Sequence, residues 1–205
     1  MLKKEASKIT GGLSAPGKMP EGAYSIPAAA CQTGAKLALV PGTPCHGCYA
    51  LKNRYIMPIQ KAALERRLKS LDHGSWTTAM ATLIKGKKHF RWHDSGDIQS
   101  VKHLINIFEV CKLTPDTAHW LPTQERKYLP LGSYPDNLVI RLSNAKNDTK
   151  PGNAWTHWST VVTHSDAPMY GATRKLCPAP EQGMKCGSWR ACWDKDVKEI
   201  QYRKH

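Results

Sequence analysis

The chain has no run approaching the roughly 18 apolar residues of a membrane span. Its first residues, Met1-Leu2-Lys3-Lys4-Glu5-Ala6-Ser7-Lys8, are charged where a secretory signal needs an apolar stretch. A cytoplasmic location and no membrane partner are therefore expected. No glycine-rich phosphate loop, Walker pattern or nucleophile elbow is present, which sets aside the P-loop NTPases and the α/β-hydrolases. There is no internal repeat, no low-complexity tract and no long basic tail. Acidic residues are scarce: 16 against 30 Lys and Arg, a net charge of +14. Such an excess favours polyanions, which makes nucleic acid or an acidic protein face the candidates for a partner otherwise unknown, met through the basic surface; the competing reading is a highly soluble surface that binds no nucleic acid. A disulfide framework is disfavoured too, because the seven cysteines are odd in number and the compartment is reducing.

What remains is a globular composition, 40% apolar over 205 residues, sufficient for one domain with an ordinary core. Residues 1–30, rich in Gly, Pro, Ala and Lys, are expected to be an irregular lead-in. Residues 31–164 would form an α/β core, and 165–205 a cysteine-bearing C-terminal segment.

Apolar periodicity predicts three helices. The first covers 58–70 with Ile59, Ala62, Ala63 and Leu68 inward. The second starts after Ser75 as N-cap, with Trp76, Met80, Leu83 and Ile84 on one face. The third covers 98–113 with Val101, Leu104, Ile105, Phe108 and Cys111 on one face. Short strands are predicted at 89–93, 118–121, 137–143 and 159–164. The helix at 98–113 falls between two of them, a βαβ pattern. The fold class is thus α/β, a mostly parallel sheet or partial (β/α) barrel with helices outside and a loop-rich, metal-tethered C-terminal segment.

Several predicted strands end in polar residues: His93-Asp94-Ser95-Gly96-Asp97, Thr123-Gln124-Glu125-Arg126, Ser143-Asn144 and Thr163-His164-Ser165-Asp166. In a parallel sheet these ends share one edge, where ligands bind. A His flanked by carboxylates and a hydroxyl can bind a ligand or move protons, which makes His93, Asp94, Ser95 and Asp97 the catalytic candidates. The competing structural reading has Asp94 capping the next helix and Gly96 serving a tight turn.

The cysteines carry the strongest signal. Cys45-His46-Gly47-Cys48 sits on a Gly/Pro loop, Cys31 precedes it, and Cys177, Cys186 and Cys192 follow far downstream. Small loop residues let thiolates converge. These six cysteines are expected to meet around one inorganic centre, pinning the C-terminal segment to the 31–48 loop. Structural zinc usually shows two close pairs, and only one exists here. An iron–sulfur cluster of the 4Fe–4S type is the expected cofactor, with zinc as the alternative. Thr123 and Ser143, at strand ends, are expected to contact the cofactor along with Cys45 and Cys48. Cys111 lies on a helical apolar stripe and is expected to be a core thiol. Trp120, Trp155, Trp158, Trp189 and Trp193 are expected to pack the core or shield the cluster from water.

The segments Cys45-His46-Gly47-Cys48-Tyr49-Ala50, Phe90-Arg91-Trp92-His93-Asp94-Ser95-Gly96-Asp97, Trp120-Leu121-Pro122-Thr123 and Arg190-Ala191-Cys192-Trp193 resemble, in that order, the phage "gene product 88" family from about residue 25 onward. The resemblance implies a viral origin and a shared cysteine site. That family's tail often carries a further Cys between those matching Cys186 and Cys192, where this chain has Trp189. A more distant likeness is to radical S-adenosylmethionine enzymes, partial barrels whose cluster loop carries C-x3-C-x2-C and then an aromatic. Cys45, Cys48 and Tyr49 match its second half, while Pro41 stands where the first Cys would be. The function expected is a phage-encoded iron–sulfur protein with a redox, sensing or structural role during infection. The alternatives are an atypical radical S-adenosylmethionine-like enzyme and a metal-stapled nucleic-acid binder.

Overall fold

The computed structural model describes residues 1–150, 152, 154–164 and 174–204. Among these residues, seven strands form one sheet with every neighbouring pair parallel, in the order β1-β2-β3-β4-β5-β7-β6. They are β1 (Ala23–Tyr24), β2 (His89–Trp92), β3 (Ala118–Thr123), β4 (Leu138–Ser143), β5 (Trp158–Val162), β6 (Arg174–Leu176) and β7 (Glu199–Arg203). The expected α/β class and the four predicted strands are thus present. Ser165 and Asp166, named at the end of the fourth, lie outside the described residues, as does His205.

Among the described residues, five α-helices accompany the sheet: α1 (Lys3–Thr10), α2 (Gln32–Leu37), α3 (Pro58–Ser70), α4 (Trp76–Ile84) and α5 (Val101–Leu113). Pro58 at the first turn of α3 loses no hydrogen bond. The Ser100 hydroxyl accepts the His103 N–H at the start of α5, satisfying an otherwise unpaired donor. None of the described helices is long and apolar enough to cross a membrane.

Two expectations about helix faces are corrected. In α3, Ile59 is exposed and Ala62 faces solvent, while Leu64 and Arg67 are buried. The Arg67 side chain turns inward because its Nε and Nη2 donate to the carbonyls of Gly12 and Leu13. In α5, Val101 and Ile105 are exposed and the buried row is His103, Leu104, Ile107, Val110 and Cys111. The buried His103 shifts the true face of α5 away from the one that apolar residues alone would choose. Ser75 precedes α4, but its hydroxyl makes no cap bond. The supposed lead-in supplies α1 and β1, and the C-terminal segment supplies β6 and β7, so both ends belong to the α/β layer.

Strand alternation sorts the side chains onto two faces. One carries Tyr24, Phe90, Trp92, Leu121, Leu138 and Ile140. It packs with Trp76, Met80 and Ile84 of α4 and Leu104, Ile107, Val110 and Cys111 of α5 into the main core. The other face carries Arg91, Trp120, Arg141, Ile200 and Tyr202. Trp120 on β3 and Tyr202 on β7 stack with ring centroids 6.5 Å apart, although β4 and β5 lie between their strands. Three strand spacings of about 4.8 Å would hold them much farther apart in a flat sheet. This face is therefore concave, as in a partial barrel. Residues 177–197 fill the concavity, where Trp120, Cys177, Ala191, Cys192, Trp193 and Ile200 form a second core.

Candidate metal centre

The chain leaving β1 crosses the C-terminal ends of β2 and β3 and carries the first three cysteines. It is fastened there at several points. Ile26 and Ser95 exchange a pair of hydrogen bonds: the Ile26 N–H donates to the Ser95 carbonyl and the Ser95 hydroxyl donates to the Ile26 carbonyl. Gly96, at φ 84°, must be glycine, because a Cβ there would lie 2.2 Å from Ile26 Cγ1. Glu125, fully buried, accepts from both the Thr33 N–H (2.6 Å) and the Thr33 hydroxyl (2.7 Å) at the start of α2. The His46 N–H donates to the Thr43 carbonyl and hydroxyl oxygens, and the Cys48 N–H donates to the Cys45 carbonyl, which folds the CxxC into a tight turn.

This frame gathers Cys31, Cys45 and Cys48. A Cβ built on Gly34 would lie 3.7 Å from Cys31 Sγ and 3.6 Å from Cys45 Sγ, so the glycine leaves a gap between two thiols. Burial, and then the neighbouring Cys48, Asp97 and Glu125, push the Cys45 thiol up to about 12. Burial and then Asp97, with Cys45, Cys48 and Glu125, raise Cys31 in the same way. Both thiols thus stay protonated unless a cation displaces their protons, which is how metal binding proceeds.

The catalytic candidates surround this group. Asp97 accepts from the Thr123 hydroxyl (2.6 Å), the Gln124 N–H (2.8 Å) and the Ile98 N–H (2.8 Å). Burial nevertheless raises it to about 7, those hydrogen bonds acting in the opposite direction. Asp94 accepts from the Tyr55 hydroxyl at 2.8 Å and its carbonyl accepts from Tyr49, while Asp94 Oδ1 has no partner among the described residues. Asp94 thus holds the loop beyond Cys48 and does not cap α5. His93 has φ 56° and packs against the His103 ring at 5.3 Å; neither of its ring nitrogens has a partner among the described residues. Burial, then the proximity of His103 and Arg91, keeps His93 neutral. Ser95 is consumed by its bond to Ile26. Ser143 pairs with Ser159 at 3.0 Å, which makes it a strand-to-strand contact.

Cys177, Cys186 and Cys192 do not join Cys31, Cys45 and Cys48. They lie in the concavity, buried, with Cys192 Sγ 3.1 Å from the Tyr202 hydroxyl and Cys177 donating its N–H to the Gln201 carbonyl. The six expected ligands fall into two sets: the thiols that neighbour Cys31 and Cys45 are Cys45 and Cys48, and the thiol that neighbours Cys186 and Cys192 is Cys177. The curl of the sheet creates an inside and a rim, and the two ends of the chain occupy one each. Among the described residues, no three His, Cys, Asp or Glu side chains are arranged to hold a single metal ion. Tetrahedral zinc at about 2.3 Å from each sulfur needs thiols about 4 Å apart, whereas a cluster spreads its ligands wider.

Sequence reading passed over Gly34 and Tyr55, and met Tyr49 and Arg91 only as members of motifs. Gly34 had a legible signal, a glycine within a short helix three residues after Cys31. Cys111 is a core thiol as expected. Trp120 and Trp193 pack in the second core, with Trp189 against it. An open groove of about 680 Å³ between α1 and α3, lined by Lys8, Gly11, Gly12, Arg66 and Lys69 among others, lies apart from all six cysteines.

A family model described as gene product 88 matches residues 1–195. No curated protein and no solved structure matches the chain, and nothing else supports the likeness to radical S-adenosylmethionine enzymes. The chain belongs to the gene product 88 family.

Proposed function

We propose that this member of the gene product 88 family is an iron–sulfur protein whose cluster sits on Cys31, Cys45 and Cys48, serving a redox, sensing or structural role for a phage during infection. One observation carries the reading: the Cys31 and Cys45 sulfurs flank the gap left by Gly34, with Cys48 within electrostatic reach of both. Thiolate ligation by cysteines on loops is the usual way such clusters are held, and the bound group supplies one-electron transfer. The residues around it have definable tasks. Glu125 fixes the start of α2 and hence Cys31. Tyr49 and Tyr55 close the loop beyond Cys48 onto Asp94. Asp97, poised at about 7, can hold or release a proton beside the thiols.

Protein purified without oxygen is expected to be brown, to absorb near 400 nm and to contain iron and acid-labile sulfide. Stoichiometric zinc in a colourless protein would overturn the proposal.

A second reading follows from the count of thiols. Three ligands leave one iron of a 4Fe–4S cluster without a protein thiolate, which is where the amino and carboxylate groups of S-adenosylmethionine would bind. The unpartnered Asp94 Oδ1 and His93 nitrogens beside the site are groups a substrate could engage. Adding S-adenosylmethionine to the reduced protein should then alter its paramagnetic spectrum, and an unchanged spectrum removes this reading.

A further inference from the structure

The open groove between α1 and α3 has a chemistry of its own. Ser7 and Lys8 come to it from α1, Arg66 and Lys69 from α3, and the turn Gly11-Gly12 lies between them, around a volume of about 680 Å³. Neither a carboxylate nor an aromatic ring lines it. Lys8, Arg66 and Lys69 are exposed. The ion pairs among the described residues are Lys102–Asp72, Lys112–Glu109, Lys195–Asp136 and Arg203–Glu181, and none engages these three cations. Asp72, the acid just beyond α3, is held by Lys102 at 2.9 Å.

Cations in the last turn of a helix ordinarily offset its dipole and the bare carbonyls there, which would also repel an anion. In this groove those carbonyls are already covered. The Thr10 carbonyl accepts from the Tyr24 hydroxyl at 2.7 Å, and the Arg67 carbonyl from the Ser70 hydroxyl at 2.7 Å. The Gly12 and Leu13 carbonyls accept from Arg67 Nε (2.8 Å) and Nη2 (3.0 Å). A Cβ on Gly11 would lie 2.9 Å from the Arg67 nitrogen, so the turn rests directly on α3. A buried guanidinium thus backs the end of α1. The three exposed cations are left to repel one another, a cost that an anion along the groove removes.

We propose that the α1–α3 groove binds the sugar-phosphate backbone of a nucleic-acid duplex without reading its bases. Regularly spaced phosphates suit cations on two facing walls, and such contacts position a protein without reading sequence. With no aromatic ring in the groove, a single strand finds no stacking platform there. Lys4, one helical turn before Lys8, continues the positive wall along α1, and the net charge of +14 draws polyanions in.

The test is fluorescence anisotropy of the full chain with a labelled duplex of about 20 base pairs and arbitrary sequence, between about 50 and 200 mM salt. Lys8→Gln with Arg66→Gln and Lys69→Gln is expected to bind about thirtyfold more weakly and to reduce the log–log salt slope by about 3, one for each lost phosphate contact. Lys112→Gln with Lys146→Gln and Lys198→Gln removes the same charge elsewhere and should weaken binding by less than about threefold. Equal weakening in both variants overturns the groove, because net charge alone is then responsible. Absence of wild-type binding at about 50 mM salt overturns it too, as does tighter binding of a single strand of the same length. Displacement of the duplex by polyglutamate at equal charge concentration would point to an acidic protein face instead and likewise overturns it. Should the triple lysine and arginine variant fail to fold, Gly12 decides. A Cβ there meets nothing within 4 Å, and Asp and Asn tolerate its φ of 80°. Gly12→Asp, which sets a carboxylate in the groove, should weaken binding about tenfold and Gly12→Asn less than about twofold; equal effects overturn the proposal. The assay reads no iron, so its outcome is independent of the cluster proposed on Cys31, Cys45 and Cys48.

Discussion

Gly34 faces Cys31 so closely that a Cβ at position 34 would lie 3.1 Å from the Cys31 Cβ. The helix α2 therefore presents bare backbone to the thiols. In Gly34→Leu the side chain would fill the space between Cys31 and Cys45. Iron content should fall by at least about fivefold while the far-ultraviolet circular dichroism stays unchanged, since leucine favours a helix over glycine by about 0.5–1 kcal/mol. In Gly34→Ala the same helix preference is offset by the tight contact, so stability without metal should change by less than about 1 kcal/mol.

Glu125 and Thr33 form the clamp that positions Cys31. Replacing Glu125 with Gln keeps the shape but sets an amide NH2 against one of the two Thr33 donors. A buried donor without an acceptor costs about 1–3 kcal/mol. Urea unfolding should show a loss of that size, and iron should be lost faster to a chelator than from wild type. Equal chelation rates would mean that α2 does not depend on this clamp.

Burial lowers His119 to about 3 and His103 to about 4, and both are neutral in the fold. A depressed folded value means that the unfolded chain takes up the proton first. Stability is therefore full above about pH 6.5 and is lost progressively as pH falls toward 3–4. Asp97 acts with the opposite sign: raised to about 7, its contribution is present at low pH and is lost as pH rises from about 4 to 7. His119→Gln should flatten the acid limb of a stability-versus-pH curve measured by urea titration, while Asp97→Asn should remove the decline between pH 4 and 7.

Arg141 is fully buried and donates to the carbonyls of Ala191, Cys192, Asp194 and Val197 at 2.8–3.0 Å. Arg141→Met leaves those acceptors without that donor and should cost at least about 3 kcal/mol. Hydrogen exchange should accelerate first in residues 186–197 and leave α4 and α5 protected. Uniform acceleration across the chain would show that the segment and the main core unfold as one unit.

Local sequence determined a good deal of this protein. The apolar period set α4 and α5, Pro58 set the start of α3, and apolar runs such as Leu138-Val139-Ile140 set the central strands, because each of these depends on contacts within a few residues. The polar strand ends and the CxxC pointed to one edge of the sheet, where Asp94, Asp97 and Glu125 do stand beside Cys31, Cys45 and the loop beyond Cys48. Other features depended on the rest of the chain. The strand β1 has two residues, and β6 three, too few to show a period; they exist because β2 and β7 offer open edges. Arg67 and His103 are buried because distant carbonyls and rings receive them, which no local pattern encodes. The partition of six cysteines into a rim group and an inner group was decided by the curl that brings Trp120 to Tyr202 across two intervening strands. Spacing along a chain says which thiols can be neighbours, but only the curvature of the sheet assigns them to one site or two.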